Sequence, residues 1–293
     1  MRAAADRDVR LETHESALGR YRFVHWVPGA DDELCGTVER IWYFEGTLTH
    51  ARERTFPNGC CEIVVQLDRP HRPVAPVAGD PFPPVCMAGL LRTSAVIEAP
   101  AGFTRVLGLT LHPATIWTLL RALPAELLDR TVALDELAGR AARELGERCG
   151  DARGGEACVH SAAAWVSARL RAAAVPDARI AWSVAALRSD AETSVALLHR
   201  TANLGASRFT DLFRERVGIS PKRYARIVRF NRALRALNRG AAASAVAAAD
   251  GYADQSHFGA EFRAHAGMTP GQYTRALRYG EGSLAEPVTG DFS

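Results

Sequence analysis

Lysine is almost missing from this 293-residue chain: Lys222 is the only one, so nearly all the positive charge is arginine. No run of eighteen apolar residues occurs, which excludes a transmembrane helix. The start, MRAAADRDVRLETHES, has arginines but no apolar stretch after them, so it does not read as a secretory signal, and a cytoplasmic protein without membrane contact is expected. The six cysteines (Cys35, Cys60, Cys61, Cys86, Cys149, Cys158) form no C-x-x-C pair, and in a reducing compartment they read as buried or idle thiols. Cys60 and Cys61 are neighbours, but adjacent strand residues point to opposite faces, which argues against a joint role in sensing a metal or an oxidant. None of the nine histidines lies two residues from another, so the His-x-His of a metal-dependent cupin is absent. Nor is there a nucleophile constellation or a Gly-rich phosphate loop. The chain is therefore expected to be no enzyme, with no catalytic residues, no metal ligands and no cofactor.

What is present is the composition of an ordinary globular protein, 47% apolar and 24% charged, long enough for two domains. The net charge of +3 conceals a division along the chain. Residues 191–280 hold 14 of the 36 Lys+Arg and 6 of the 33 Asp+Glu, a balance of +8, and the remainder stands at −5. A basic segment joined to an acidic one suggests a polyanion-binding module attached to something else.

The first hundred residues read as β. YRFVHWV (21–27), ERIWYFEG (39–46), CEIVVQL (61–67) and TRVLGLTL (104–111) are rich in aromatic and β-branched residues. Period-two alternation sets Cys61, Ile63, Val65 and Leu67 against Glu62 and Gln66, and Leu107, Leu109 and Leu111 against Arg105. PNG (57–59), RPHRPVAP (69–76) and GDPFPP (79–84) are read as turns. After Pro113 the pattern becomes helical, over 114–123, 136–150, 160–174 and 179–189, with loops at 150–157 and 175–178. From about 191 to 278 the reading is helical throughout, and 281–293 reads as a frayed tail.

The strongest signal is an internal repeat. FTDLFRERVGISPKRY (209–224) and FGAEFRAHAGMTPGQY (258–273) align at a constant offset of 49. Phe209 and Phe213, like Phe258 and Phe262, are four apart and pack one helix face as core. Gly218 and Gly267 fit positions where a chain leaves a helix through positive φ. Ser220-Pro221 and Thr269-Pro270 read as an N-cap followed by proline at the first helical position. Short helices upstream (194–202 and 244–250) complete a helix-turn-helix outline twice, with 221–240 as one connecting helix. A plain helical bundle with a duplicated pair is the competing reading, disfavoured because the positive balance is confined to this segment.

Residues 191–278 resemble the DNA-binding domain of AraC/XylS-type transcription regulators, most closely over GYADQSHFGAEFRAHAGMTPGQY. The resemblance implies two helix-turn-helix units set into successive major-groove segments of double-stranded DNA. It implies contacts from Ser207, Arg208, Thr210 and Asp211 on a first recognition helix beginning near Ala206. On a second, beginning near Asp254, it implies Gln255, Ser256 and His257, with Gly259 and Ala260 offering little. Gln255 is the best candidate for reading a base, since an amide binds adenine N6/N7 through two bonds. Arg214 and Arg263 are expected to position phosphates. Asp211 departs from the arginine common at that position in the family.

Residues 21–150 look similar to a barrel-like sensor domain of such regulators, through FPNGCCEIVVQL (56–67), GFTRVLGLTLHPA (102–114) and LDRTVALDEL (128–137). The expected fold is α+β: a cupin-like β-barrel with following helices, then an all-α domain of two helix-turn-helix units joined by a long helix. The expected divisions are 1–150 sensor or dimerisation barrel, 151–190 helical connector, 191–280 DNA-binding domain and 281–293 tail. The implied partners are DNA, a small-molecule effector of unknown identity, a second copy of the chain and RNA polymerase. Trp26, Trp42, Tyr43 and Phe44 are candidates either for core or for an effector pocket; Arg40, Glu62, Gln66 and Arg105 lie on the face opposite the alternation read as buried, and either face is open to being the barrel lumen. Two alternatives stay open: a cupin-type enzyme with an accessory helical domain, and a regulator whose N-terminal part only dimerises.

Overall fold

The computed structural model describes residues 9–16, 19–48, 52–173, 177–249 and 251–279. The expected tail and residues 175–176 of the expected 175–178 loop lie outside the described residues. The described residues form ten strands, nine of them ahead of the first helix: β1 (Arg10–Ser16), β2 (Gly19–Trp26), β3 (Val38–Leu48), β4 (Arg52–Thr55), β5 (Cys61–Gln66), β6 (Arg72–Ala75), β7 (Val85–Ala88), β8 (Ala95–Glu98), β9 (Phe103–Leu111) and β10 (Thr131–Ala133). They pair antiparallel into a seven-stranded sheet of order β1-β2-β3-β9-β5-β7-β10 and a three-stranded sheet β4-β8-β6. The α+β organisation is the expected one. Among the described residues the strands do not close into the expected barrel: β1 and β10 are the two edges of the larger sheet.

The alternation in the sequence is realised in the sheet. Ile41, Tyr43, Ile63, Val65, Leu107 and Leu109 are buried on one face, and helices cover them. These are α1 (Ile116–Leu120), α2 (Leu134–Ala138), α3 (Arg140–Asp151), α4 (Gly155–Ala172) and α5 (Ala178–Ser189), with α4 lying along β2, β3 and β9. Four expectations are corrected. The helix expected over 114–123 is a 3-10 turn and a five-residue α1, because Arg121 enters the left-handed region at φ 56. The helix expected over 136–150 breaks at Gly139 into α2 and α3, and the loop expected at 150–157 is short because α4 already begins at Gly155. The turn read at 69–76 contains β6, where Pro73 is tolerated on an edge strand that needs no donor on its outer side.

The remaining helices are α6 (Val195–Thr201), α7 (Ala206–Val217), α8 (Pro221–Asn238), α9 (Ala243–Ala249), α10 (Gln255–Ala266) and α11 (Pro270–Tyr279). The cap chemistry follows the sequence. Ser220 accepts from the Arg223 amide ahead of Pro221, and Thr269 and Gln272 exchange side-chain and backbone bonds as a capping box. Gly218 and Gly267 end α7 and α10 at φ 95 and 72, where a Cβ would be strained.

Two cores hold these parts together. One runs without interruption from the sheet through α4 and α5 into α6, α7 and the first turns of α8. The second gathers Phe230, Phe258, Phe262 and Tyr273, and receives Phe56 from the turn between β4 and β5. That turn is tied further: the Tyr224 hydroxyl donates to the Gly59 carbonyl at 3.0 Å, and Asn231 Nδ2 donates to the Pro57 carbonyl at 2.9 Å. The end of α10 is tied to the loop before β8, where the Ser94 amide donates to the His265 carbonyl and its hydroxyl to that of Ala266. The acidic and basic parts of the chain are thus one packed body.

Candidate nucleic-acid interface

Each helix-turn-helix unit leaves the start of its second helix in solvent. In α7, Phe209, Leu212 and Phe213 face the core, while Ser207, Arg208, Asp211 and Arg214 are exposed and Thr210 is half-buried. In α10, Phe258, Glu261 and Phe262 are buried, and Gln255, Ser256, His257 and Arg263 are exposed. The duplicated positions correspond pairwise: Ser207 with Ser256, Arg208 with His257, Arg214 with Arg263. The side chains differ in how freely they stand. Thr210 donates its hydroxyl to the Ala206 carbonyl, and Asp211 lies 3.8 Å from Arg214, which offsets its charge. The His257 ring is held at both nitrogens: Nδ1 accepts from the Ala253 amide, which leaves the proton on Nε2, 3.7 Å from Glu261.

Glu261 escaped the sequence reading and organises this end of the domain. Its carboxylate is 4% exposed and accepts from Arg229 through Nε and Nη2 and from Arg226 through Nε. Arg229 also lies over the Tyr252 ring at 4.8 Å, and Tyr252 meets His257 edge-on. One buried anion therefore joins α8, the turn before α10 and α10 itself. Nothing local announces it, because its arginine partners lie 32 and 35 residues earlier.

On the sheet, the aromatic candidates divide. Trp26 and Tyr43 are core, whereas Trp42 and Phe44 sit on the other face with Phe23 and His25. There the Trp42 indole lies across Gly108 and donates to Glu62 Oε1 at 2.7 Å, and the Thr110 hydroxyl donates to the same oxygen. Arg40 completes the row beside Thr110, and burial holds it below the ordinary arginine value. Gln66 is buried against His71, while Arg105 pairs with Asp68 at the surface. Five cysteines are buried and Cys35 is exposed; burial pushes the Cys60 thiol up to about 11 and Cys86 to about 12, away from the reactive thiolate.

Two exposed recognition-helix starts on one chain, braced by a shared connecting helix, are the architecture of a double helix-turn-helix DNA-binding domain. Comparison with known families agrees: residues 198–276 match a helix-turn-helix domain, and residues 30–133 match a domain of unknown function (DUF6597). No curated protein matches. Among solved structures, ToxT from Vibrio cholerae O395 is similar at 10% identity over 78% of this chain and 97% of that one, with a TM-score of 0.45. The C-terminal domain of AraT, a response regulator from Geobacillus stearothermophilus, is similar at 16% identity over 39% and 93%, TM-score 0.33. The AraC-like transcriptional activator CuxR is similar at 14% identity over 80% and 88%, TM-score 0.31. The C-terminal part of the chain is thus a helix-turn-helix domain, which follows an N-terminal domain of unknown function. Among the described residues no helix is long and apolar enough to cross a membrane.

Proposed function

We propose that the protein reads a specific operator in double-stranded DNA through the exposed starts of α7 and α10, under control of a small molecule held by the N-terminal sheet. The observation that carries the DNA reading is the duplicated exposure: equivalent polar positions of the two copies face solvent while the phenylalanines beside them are buried. The 18 residues of α8 span about 27 Å at 1.5 Å each, comparable with the roughly 34 Å turn of DNA that separates successive major-groove sites. Gln255 and Ser256 read base edges, Ser207 and Arg208 do so from the first helix, and Arg214 and Arg263 hold phosphates. Thr210, Asp211 and His257, whose polar atoms already have partners, contribute less. The effector site of this reading is the sheet face bearing Arg40, Trp42, Glu62 and Thr110, a cation and an indole beside a carboxylate.

Fluorescence anisotropy with selected and random duplexes tests it. Affinity falls steeply with salt as condensed counterions are released, and Arg214→Ala and Arg263→Ala each flatten the slope by about one. Gln255→Ala lowers discrimination by about 1–3 kcal/mol and leaves random-sequence binding intact. A variant that discriminates as well as the wild type overturns the assignment of Gln255. Calorimetry against a metabolite panel tests the effector; the absence of heat across the panel favours a sheet that serves dimerisation alone.

A further inference from the structure

The register of the large sheet brings together three side chains that no motif connects. Cys61 pairs with Leu111, so Cys60, just before β5, stands across from His112, just after β9. On the other side of β9 the pairing shifts between Val38 and Arg40, which leaves Glu39 as the extra residue of a bulge, a device that re-aims a side chain. The three neighbouring strand ends thus present a carboxylate, an imidazole and a thiol in a row. Their ligand atoms all lie within 4.8 Å of one another, and His112 Nε2 is 3.3 Å from Glu39 Oε2. The positions are fixed by backbone bonds: the Cys60 amide donates to Asn58 Oδ1, and the His112 amide to the Thr37 carbonyl. Cys60 is buried, whereas Glu39 is 39% exposed and opens the cluster to solvent.

A cation already sits on these ligands. Arg188, in the last turn of α5, donates through Nη1 to Cys60 Sγ at 3.4 Å and through Nη2 to Glu39 Oε1. Its carbonyl in turn accepts from Arg232 of α8. We propose that Glu39, Cys60 and His112 form a site for a divalent cation of the zinc class, which binds in exchange for the Arg188 guanidinium. Sulfur, imidazole nitrogen and carboxylate oxygen are the donors of three-ligand zinc sites, with water in the fourth position. The exchange balances in charge. The dication enters, the Cys60 thiol gives its proton to solvent, and the Arg188 cation leaves, so the site keeps its net charge. Arg188 is therefore a built-in competitor, and metal entry cuts the side-chain tie between the connector helix α5 and the sheet. The proposal is independent of whether the helix-turn-helix units bind DNA.

Cobalt(II) titrated into the reduced, full-length protein is the test. The expected result is one equivalent bound with a thiolate-to-cobalt charge-transfer band, displaced by zinc. Cys60→Ser abolishes the band, and Cys61→Ser, on the opposite face, leaves it unchanged. His112→Gln and Glu39→Gln each weaken binding at least about tenfold and serve if Cys60→Ser fails to fold. Arg188→Gln tightens binding, a result that a merely structural arginine does not produce. The proposal is overturned by the absence of the band in both wild type and Arg188→Gln, by a band that survives Cys60→Ser, or by unchanged affinity in the His112 and Glu39 variants.

Discussion

Removing the charge of Glu261 is the sharpest probe of how α10 is held. Its carboxylate is 4% exposed and faces Arg229, itself 20% exposed and bonded to both oxygens, and Arg226, which is 50% exposed. Solvent screens the Arg226 pair, which contributes about 1 kcal/mol at most. The Arg229 pair is different: breaking a buried pair on one side leaves a charge without its counterion and costs roughly 3–5 kcal/mol. Glu261→Gln keeps the shape and one accepting oxygen, so a loss of about 3 kcal/mol is expected, at the lower end of that range. Because the second helix-turn-helix unit has its own core, the loss is read locally, as faster hydrogen exchange of the α10 amides, as well as in the denaturation midpoint. Replacing both partners by methionine removes the unpaired charge, so the double variant recovers at least about 1 kcal/mol relative to the sum of the single ones. A Glu261→Gln protein within about 0.5 kcal/mol of wild type, or strictly additive single effects, refutes the assignment of Glu261 as the organising anion.

Phe56→Ala removes the ring that the β4–β5 turn inserts beside Phe230 and Tyr273; as the site is only partly buried, a loss of about 2 kcal/mol is expected in urea unfolding, and a change below about 0.5 contradicts the bracing role. Gly108→Ala places a Cβ 2.1 Å from the Trp42 ring, so the indole must leave Glu62; near-ultraviolet circular dichroism reports the displacement, with a cost of about 1–3 kcal/mol, and an unaltered spectrum sinks the packing argument. His71 is buried with Nδ1 3.0 Å from Gln66 Oε1, and burial holds it below the ordinary histidine value. The unfolded chain therefore takes up this proton first as pH falls. Stability from the neutral ring is complete above about pH 6.5 and drains below it. Melting temperatures between about pH 7.5 and 5.5 should drop more for wild type than for His71→Gln, and equal drops refute the assignment.

Local chemistry made much of this protein legible. The caps at Ser220 and Thr269, the positive-φ glycines and the alternation along β5 and β9 depend on residues within a few positions of one another, the repeat at offset 49 writes one such local pattern twice, and they appear where expected. Short segments with mixed signals were less legible. Pro73 concealed an edge strand, and Gly139 and Arg121 cut helices that their periodicity extends. The partners of Glu261 were out of reach for another reason: a salt bridge across 32 residues has no period.

The amino-acid order alone thus decided most of the elements, the duplicated unit and which faces of α7 and α10 meet water, since capping, backbone sterics and hydrophobic spacing act over one or two turns. Tertiary structure decided the rest. The continuous core joining sheet to first unit, the Phe56 wedge, the anion beneath Arg229 and the meeting of Glu39, Cys60 and His112 depend on strand register and on packing between segments far apart in the chain. Those are set by the three-dimensional arrangement of complementary surfaces, which no local pattern of residues encodes.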